Sequence, residues 1–388
     1  MVSQTPFGLI LLLWGAGLGA AGQYAKVSVV YDQLGTVYPT GGVALGFIVS
    51  IVGFVGIVFG VVAGLLVAGL GYRRTLIWAL WAGAVLSAVQ AAFPPLPIML
   101  GLRVLEGASH LAIVVAAPTL IAQLSQAHHR GFTLTLWGTF FGVAYTLLVW
   151  LGLPLVDTFG LSSLFLVHAV WMAVFAMLLK PGLAALPTSS KGAPFRWTGL
   201  LQKHVALYRS PYISAPALGW LFYTFCFLAI LTLIPPFITG TQPALILGAM
   251  PLVSIIVSMT LGVVALRWLT PVQVIVAGFA LTLTALVWLL IAPGAPLACL
   301  AMAGAFGVVQ GASFAAVPYL NSDAADQARA NGAMAQMGNI GNTLGTPMIA
   351  AVLLGAGYSG MILSAVLVMF AGLSVHLWLA ARRARGAV

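Results

Sequence analysis

Three charged side chains interrupt stretches that are otherwise apolar: Lys26, Arg103 and Glu106. A charge in hydrocarbon costs at least about 2.5–3.5 kcal/mol on insertion scales, so such residues are functional candidates by default. Arg103, Glu106 and His110 recur at i, i+3 and i+7 and share one face of a helix. On that face Glu106 can neutralise Arg103 while nothing else is bound. Once released, Arg103 can hold an anion while Glu106 or His110 takes a proton. Lys26 has two readings, snorkelling to the membrane surface or flanking the same anion as Arg103. His110 is the one histidine placed near the centre.

Neutral polar residues extend this set. Gln23 and Tyr24 lie beside Lys26, Gln90 precedes the Arg103 stretch, and Trp137 and Tyr145 follow it. The second half of the chain supplies Tyr223, Gln310, Gln336, Asn339 and Asn342. For each of these alone, a hydrogen bond between helices is the simpler role, worth about 0.6 kcal/mol. Together they describe a cavity that is cationic toward one end and neutral and polar in its second half. No nucleotide-binding loop, metal-ligand spacing or nucleophile–base set is present, which argues against an enzyme and against a bound cofactor. Cys226 and Cys299 sit in apolar stretches and read as filler.

The elements that position these residues follow from composition. Of the 388 residues 62% are hydrophobic and 5% charged, against roughly 25% charged in a soluble domain. The apolar runs reach the 20 or so residues needed to cross a bilayer. They fall at 7–30, 43–67, 75–94, 97–123, 132–152 and 161–180, then at 212–236, 244–266, 271–292, 297–320, 331–354 and 359–381. The expected fold is an all-α membrane protein of twelve transmembrane helices in two six-helix, pseudo-symmetric bundles. The bundles are 1–180 and 212–388, joined by a linker over 181–211. Within the linker, Trp197 to Tyr208 has the pattern of a short helix lying on the membrane surface.

Of the 15 Lys and Arg, all but Lys26 and Arg103 fall on one side of these spans. They are Arg73, Arg74, Arg130, the linker residues from Lys180 to Arg209, Arg267, Arg329 and Arg382 to Arg385. The positive-inside rule makes that side cytoplasmic and places both termini there, in a cell inner membrane. The net charge of +10 therefore reports topology and contact with the lipid bilayer, not nucleic-acid binding. The first apolar run lacks a charged leader and a cleavage site and is expected to stay as the first helix.

The halves echo each other. Glu106-Gly107-Ala108-Ser109 on the fourth span matches Gln310-Gly311-Ala312-Ser313 on the tenth. Small residues one turn apart, Gly56, Gly60 and Gly64 on the second span and Gly341 and Gly345 on the eleventh, allow close helix approach.

Several local patterns resemble the major facilitator superfamily. Gly64, Gly71, Arg73 and Arg74 fit its loop between the second and third helices, with Ala68 and Gly69 in place of the acidic–basic pair. Arg103 to Gly107 is similar to its motif on the fourth helix. On the fifth helix Val143, after Gly142, stands where the antiporters of that family carry proline. The resemblance implies alternating access about a central site, with Gly64, Gly71, Arg73 and Arg74 as a gating loop. The expected function is a monomeric secondary transporter of a small organic anion or zwitterion, with the proton as candidate coupling ion. The alternatives are a proton-driven exporter of amphiphilic compounds and a non-transporting assembly factor or sensor of the same fold.

Overall fold

The computed structural model describes residues 4–184 and 207–386, all helix and connection with no strand among them. The 185–206 part of the linker, including the surface-helix pattern from Trp197, lies outside the described residues. In chain order the helices are α1 (Phe7–Ser28), α2 (Tyr31–Val37), α3 (Ala44–Ser50), α4 (Phe54–Leu70), α5 (Tyr72–Gln90) and α6 (Leu96–Leu124). Then come α7 (Ala127–Gly138), α8 (Phe140–Leu147), α9 (Leu153–Phe159) and α10 (Leu161–Ala184). After the linker follow α11 (Ser214–Leu233), α12 (Pro243–Val257), α13 (Pro271–Ile291), α14 (Pro296–Leu320) and α15 (Ala324–Gly386).

Among the described residues nine helices are long and apolar enough to cross a membrane, or ten if the broken stretch containing α3 and α4 counts as one span. The sequence expects twelve segments, and the differences have local causes. The long α15 is two helices, divided at Gly357, whose φ of 66° and ψ of −164° are not helical. Helix α5 carries Arg73, Arg74 and Gln90 and falls outside the apolar set. The fifth segment is longer than 132–152: α7, α8 and α9 run almost continuously, with a π-turn over Leu148–Gly152. Helix α15 starts seven residues before the expected 331, in a turn where Arg329 pairs with Asp326 at 2.8 Å on the surface.

The chain forms two compact units, Met1–Gly41 with Phe54–Arg196, and Gly42–Gly53 with Trp197–Val388. The second unit thus contains α3, which the sequence places in the first bundle. Gly46 faces Pro347, and the Ser50 hydroxyl donates to the Thr343 carbonyl at 2.8 Å.

In the first unit the small residues of α1 seat the large ones of α10. Gly15 faces Phe175, Gly19 faces Met172 and Trp171, and Gly22 faces His168. The spacing of i, i+4 and i+7 on both helices makes one continuous seam. A Cβ on Gly22 would stand 2.8 Å from the His168 ring. We expect Gly22→Ala to cost about 1–3 kcal/mol through overpacking, read as a lower Tm of the purified protein. Gly8→Ala, with nothing within 4 Å, should leave Tm unchanged.

In the second unit Gly338, Gly341 and Gly345 of α15 lie against α11, with Gly341 meeting Thr224 and Leu221 and Gly345 meeting the Phe225 carbonyl. Gly338 meets side chains of Trp220 and Thr224, but Gly345 meets only backbone and Gly341 meets the backbone of Leu221 and Phe225 beside the Thr224 hydroxyl; backbone cannot turn aside as a side-chain tip can. Gly341→Leu should therefore abolish recovery of folded protein, as judged by monodispersity on size-exclusion chromatography. By contrast, Gly64 has nothing within 4 Å.

Candidate functional site

Among the described residues of the first unit, every buried charge converges on Glu106. Lys26 reaches it from α1, with Nζ 2.7 Å from Oε1. Arg103, one turn earlier on α6, pairs with Oε2 through Nη1. Gln90, at the end of α5, donates Nε2 to the same Oε2 at 2.8 Å. Lys26, Arg103, Glu106 and Gln90 are all completely buried. Two cations and one carboxylate leave one positive charge in the interior of the unit, with the histidines taken as neutral. A buried pair recovers its desolvation cost only when the remaining donors and acceptors are met, and this cluster comes close to meeting them.

Lys26 shows how. Its three N–H bonds have three acceptors: Glu106 Oε1, Ser87 Oγ at 2.8 Å and His168 Nδ1 at 3.4 Å. The tautomer of His168 follows from its other side. Nε2 lies 2.8 Å from the Gly19 carbonyl, which can only accept, so Nε2 carries the proton and Nδ1 presents its lone pair to the ammonium. Ser87 also lies 2.9 Å from Nδ1 and donates to the Phe165 carbonyl at 2.9 Å. The Phe165 ring sits under the ammonium at 5.2 Å. Lys26 is thus held inside the bundle and does not snorkel.

The polar residues around this core are only partly satisfied. Gln23 donates to Ser109 Oγ at 3.0 Å, and Ser109 donates to the Ala79 carbonyl at 2.7 Å. Buried and without partners are Gln23 Oε1, Gln90 Oε1 and the Tyr24 hydroxyl. Each unmet polar atom costs about 1–3 kcal/mol. Tyr145 pairs with Ser28 at 3.3 Å, and Trp137 stacks on Phe140 within the apolar core.

His110 stands near Glu106 and Arg103 but is hydrogen-bonded elsewhere. Its Nδ1 bonds the Ala20 carbonyl at 3.0 Å and its ring packs edge-on against Tyr24. The histidine beside Lys26 is His168, which the sequence reading missed, together with Ser87. The signal was available: a histidine in an apolar span is a polar group that needs partners, and His168, Met172 and Phe175 repeat the i, i+4, i+7 spacing of the glycine seam of α1. His168 also lines an apolar hollow of about 190 Å³, with Leu18, Gly19, Gly22, Leu148 and Trp171.

In the second unit the polar residues that the sequence singles out are neutral. Gln310, the counterpart of Glu106, accepts from Tyr223 at 3.3 Å. Tyr223 stacks on Phe227 and Trp220 in an aromatic cluster. Gln336 accepts from Tyr208 at 2.8 Å, while Asn339 donates to the Ala335 carbonyl of its own helix. In each unit, then, a residue of the fourth long helix is bonded from the first, by charge in one and by a phenol–amide contact in the other.

Between α4 and α5, Gly71 has a φ of 90°, which glycine adopts without strain, and directs Arg73 and exposed Arg74 into the first turn of α5. Among the described residues no three His, Cys, Asp or Glu side chains gather to hold a metal.

The family model described as Major Facilitator Superfamily matches residues 7–346. No curated protein matches the chain.

Proposed function

On the premise that this chain belongs to the major facilitator superfamily, and is therefore a membrane transporter of that family, we propose that it carries a small organic anion by alternating access. The observation that supports this most is the charge count at Glu106: Lys26 and Arg103 share one carboxylate in a fully buried cluster. A monoanion entering at Arg103 would bring the cluster to neutrality. A zwitterion would leave the excess positive charge in place, and a dianion would reverse it unless Glu106 took up a proton. That last case makes Glu106 the proton-coupling residue, with Lys26 hydrogen-bonded to it and His168 on the far side of Lys26. The unmet Tyr24 hydroxyl and the Gln23 and Gln90 carbonyls are the neutral groups that would orient the substrate.

The topology proposed with this reading places both termini on the cytoplasmic side of the inner membrane, since 13 of the 15 Lys and Arg lie on that side. The transporter would act as a monomer.

The test is a thermal-shift series on purified protein with monocarboxylates, dicarboxylates, amino acids and bulky organic cations. Specific binding raises stability as RT ln(1 + [L]/Kd), so a true ligand strengthens with concentration. The proposal expects stabilisation by monoanions that is lost in Arg103→Ala. Stabilisation by bulky cations alone would favour an exporter of amphiphilic compounds, a reading to which the apolar hollow beside His168 lends support. Binding without flux in liposomes would favour a non-transporting sensor or assembly factor.

A further inference from the structure

The end of the second unit where basic residues collect carries a polar site of its own. A hollow of about 440 Å³ opens there between α11, α13, α14 and α15, lined by Tyr212, Thr270, Gln273, Tyr319, Ala380 and Arg383. Arg383 is half-buried and donates Nη1 to the Pro211 carbonyl at 2.7 Å. Tyr212 and Tyr319 stand close enough to interact with it electrostatically. Among the described residues Arg383 forms no ion pair. A cation held by a neutral carbonyl and two phenols still lacks a counter-charge.

A further observation points the same way. Helix α13 begins at the hollow with a complete capping box: Gln273 N–H donates to Thr270 Oγ1 at 3.3 Å, and Thr270 N–H donates to Gln273 Oε1 at 2.9 Å. The positive end of a 21-residue helix therefore faces the same space.

The surroundings identify the partner. Tyr212 and Tyr319 are 39% and 54% exposed, and Trp378, 58% exposed, carries the Arg382 guanidinium over its ring at 5.7 Å. Exposed Tyr and Trp beside arginine mark the level of lipid headgroups. Basic pockets between membrane helices at that level suit anionic headgroups.

We propose that this hollow binds the phosphodiester of an anionic membrane lipid, with Arg383 pairing to the phosphate and the Gln273 side-chain amide and the two phenols donating around it. The test uses the full chain purified in detergent, titrated with short-chain phosphatidylglycerol, phosphatidylcholine of the same chain length and inorganic phosphate. Binding is read by native mass spectrometry and by thermal shift. Phosphatidylglycerol should bind at least tenfold more tightly than phosphatidylcholine, and Arg383→Gln should remove that difference. Arg385→Gln, an exposed position outside the lining, should keep it.

Gln273→Glu serves if Arg383→Gln fails to fold. Glutamate preserves the acceptor of the capping box and adds a negative charge at the rim, so selectivity should fall while Tm without lipid holds. Equal binding of the two lipids would overturn the proposal. So would inorganic phosphate that competes as well as the lipid, or selectivity that survives both substitutions.

Discussion

Glu106→Gln is expected to be the most damaging single change in the first unit, and Lys26→Met is expected to be much milder. The substitution at Glu106 leaves Lys26 and Arg103 buried with no counter-charge, where wild type has one carboxylate between them. Breaking a buried ion pair by removing one partner typically costs about 3–5 kcal/mol. Lys26→Met instead leaves Arg103 and Glu106 as a neutral pair, with an apolar chain over Phe165. The double variant Lys26→Met/Glu106→Gln removes one of the two stranded cations and should recover part of the loss. The order of Tm values should be Lys26→Met highest, the double variant next and Glu106→Gln lowest. A Glu106→Gln protein as stable as Lys26→Met would mean that the cluster does not carry the charges assigned to it.

Arg103→Ala should abolish recognition of the anion, and Arg103→Lys should not restore it. Arg103 and Lys26 both pair with Glu106 but differ in geometry. Lys26 is saturated by three acceptors, whereas the guanidinium has five donors in a planar fork suited to two carboxylates side by side. A hydrogen bond to a charged group is worth about 1.5–3 kcal/mol, so loss of the fork should weaken apparent affinity on the order of ten- to a hundredfold. Concentration-dependent thermal shift measures this directly. Affinity in Arg103→Lys equal to wild type would show that only charge matters at that position.

Much of the fold was legible in the sequence because lipid imposes length and composition on every span. The break expected between 354 and 359 falls at Gly357, where one helix ends and the next starts without a polar loop. Elsewhere long-range packing decided the outcome. The stretch after Gly42 reads as the start of a first-bundle span, yet its packing on Pro347 and Thr343 groups it with the second unit. That pairing depends on residues nearly 300 positions apart and leaves no local signature.

The buried charges were legible for a similar reason: a cation or carboxylate in an apolar run stands out. Their mutual arrangement was only partly so. The i, i+3 spacing predicts that Arg103 can reach Glu106, but nothing near Lys26 in the sequence announces Ser87 or His168. His168 was passed over because a neutral imidazole looks affordable in a helix that also carries Trp171 and Phe175. Its role emerges only from the carbonyl of Gly19, which fixes the tautomer, and from Gly22, which makes room for the ring.

The central claim is that a small organic anion crosses the membrane by way of Arg103. Uptake of radiolabelled monocarboxylates into liposomes containing the purified protein, with and without an imposed proton gradient, tests it most directly. The account predicts saturable uptake in wild type and none in a folded Arg103→Ala protein. Uptake unchanged by Arg103→Ala, or movement of bulky cations but of no carboxylate, would contradict it.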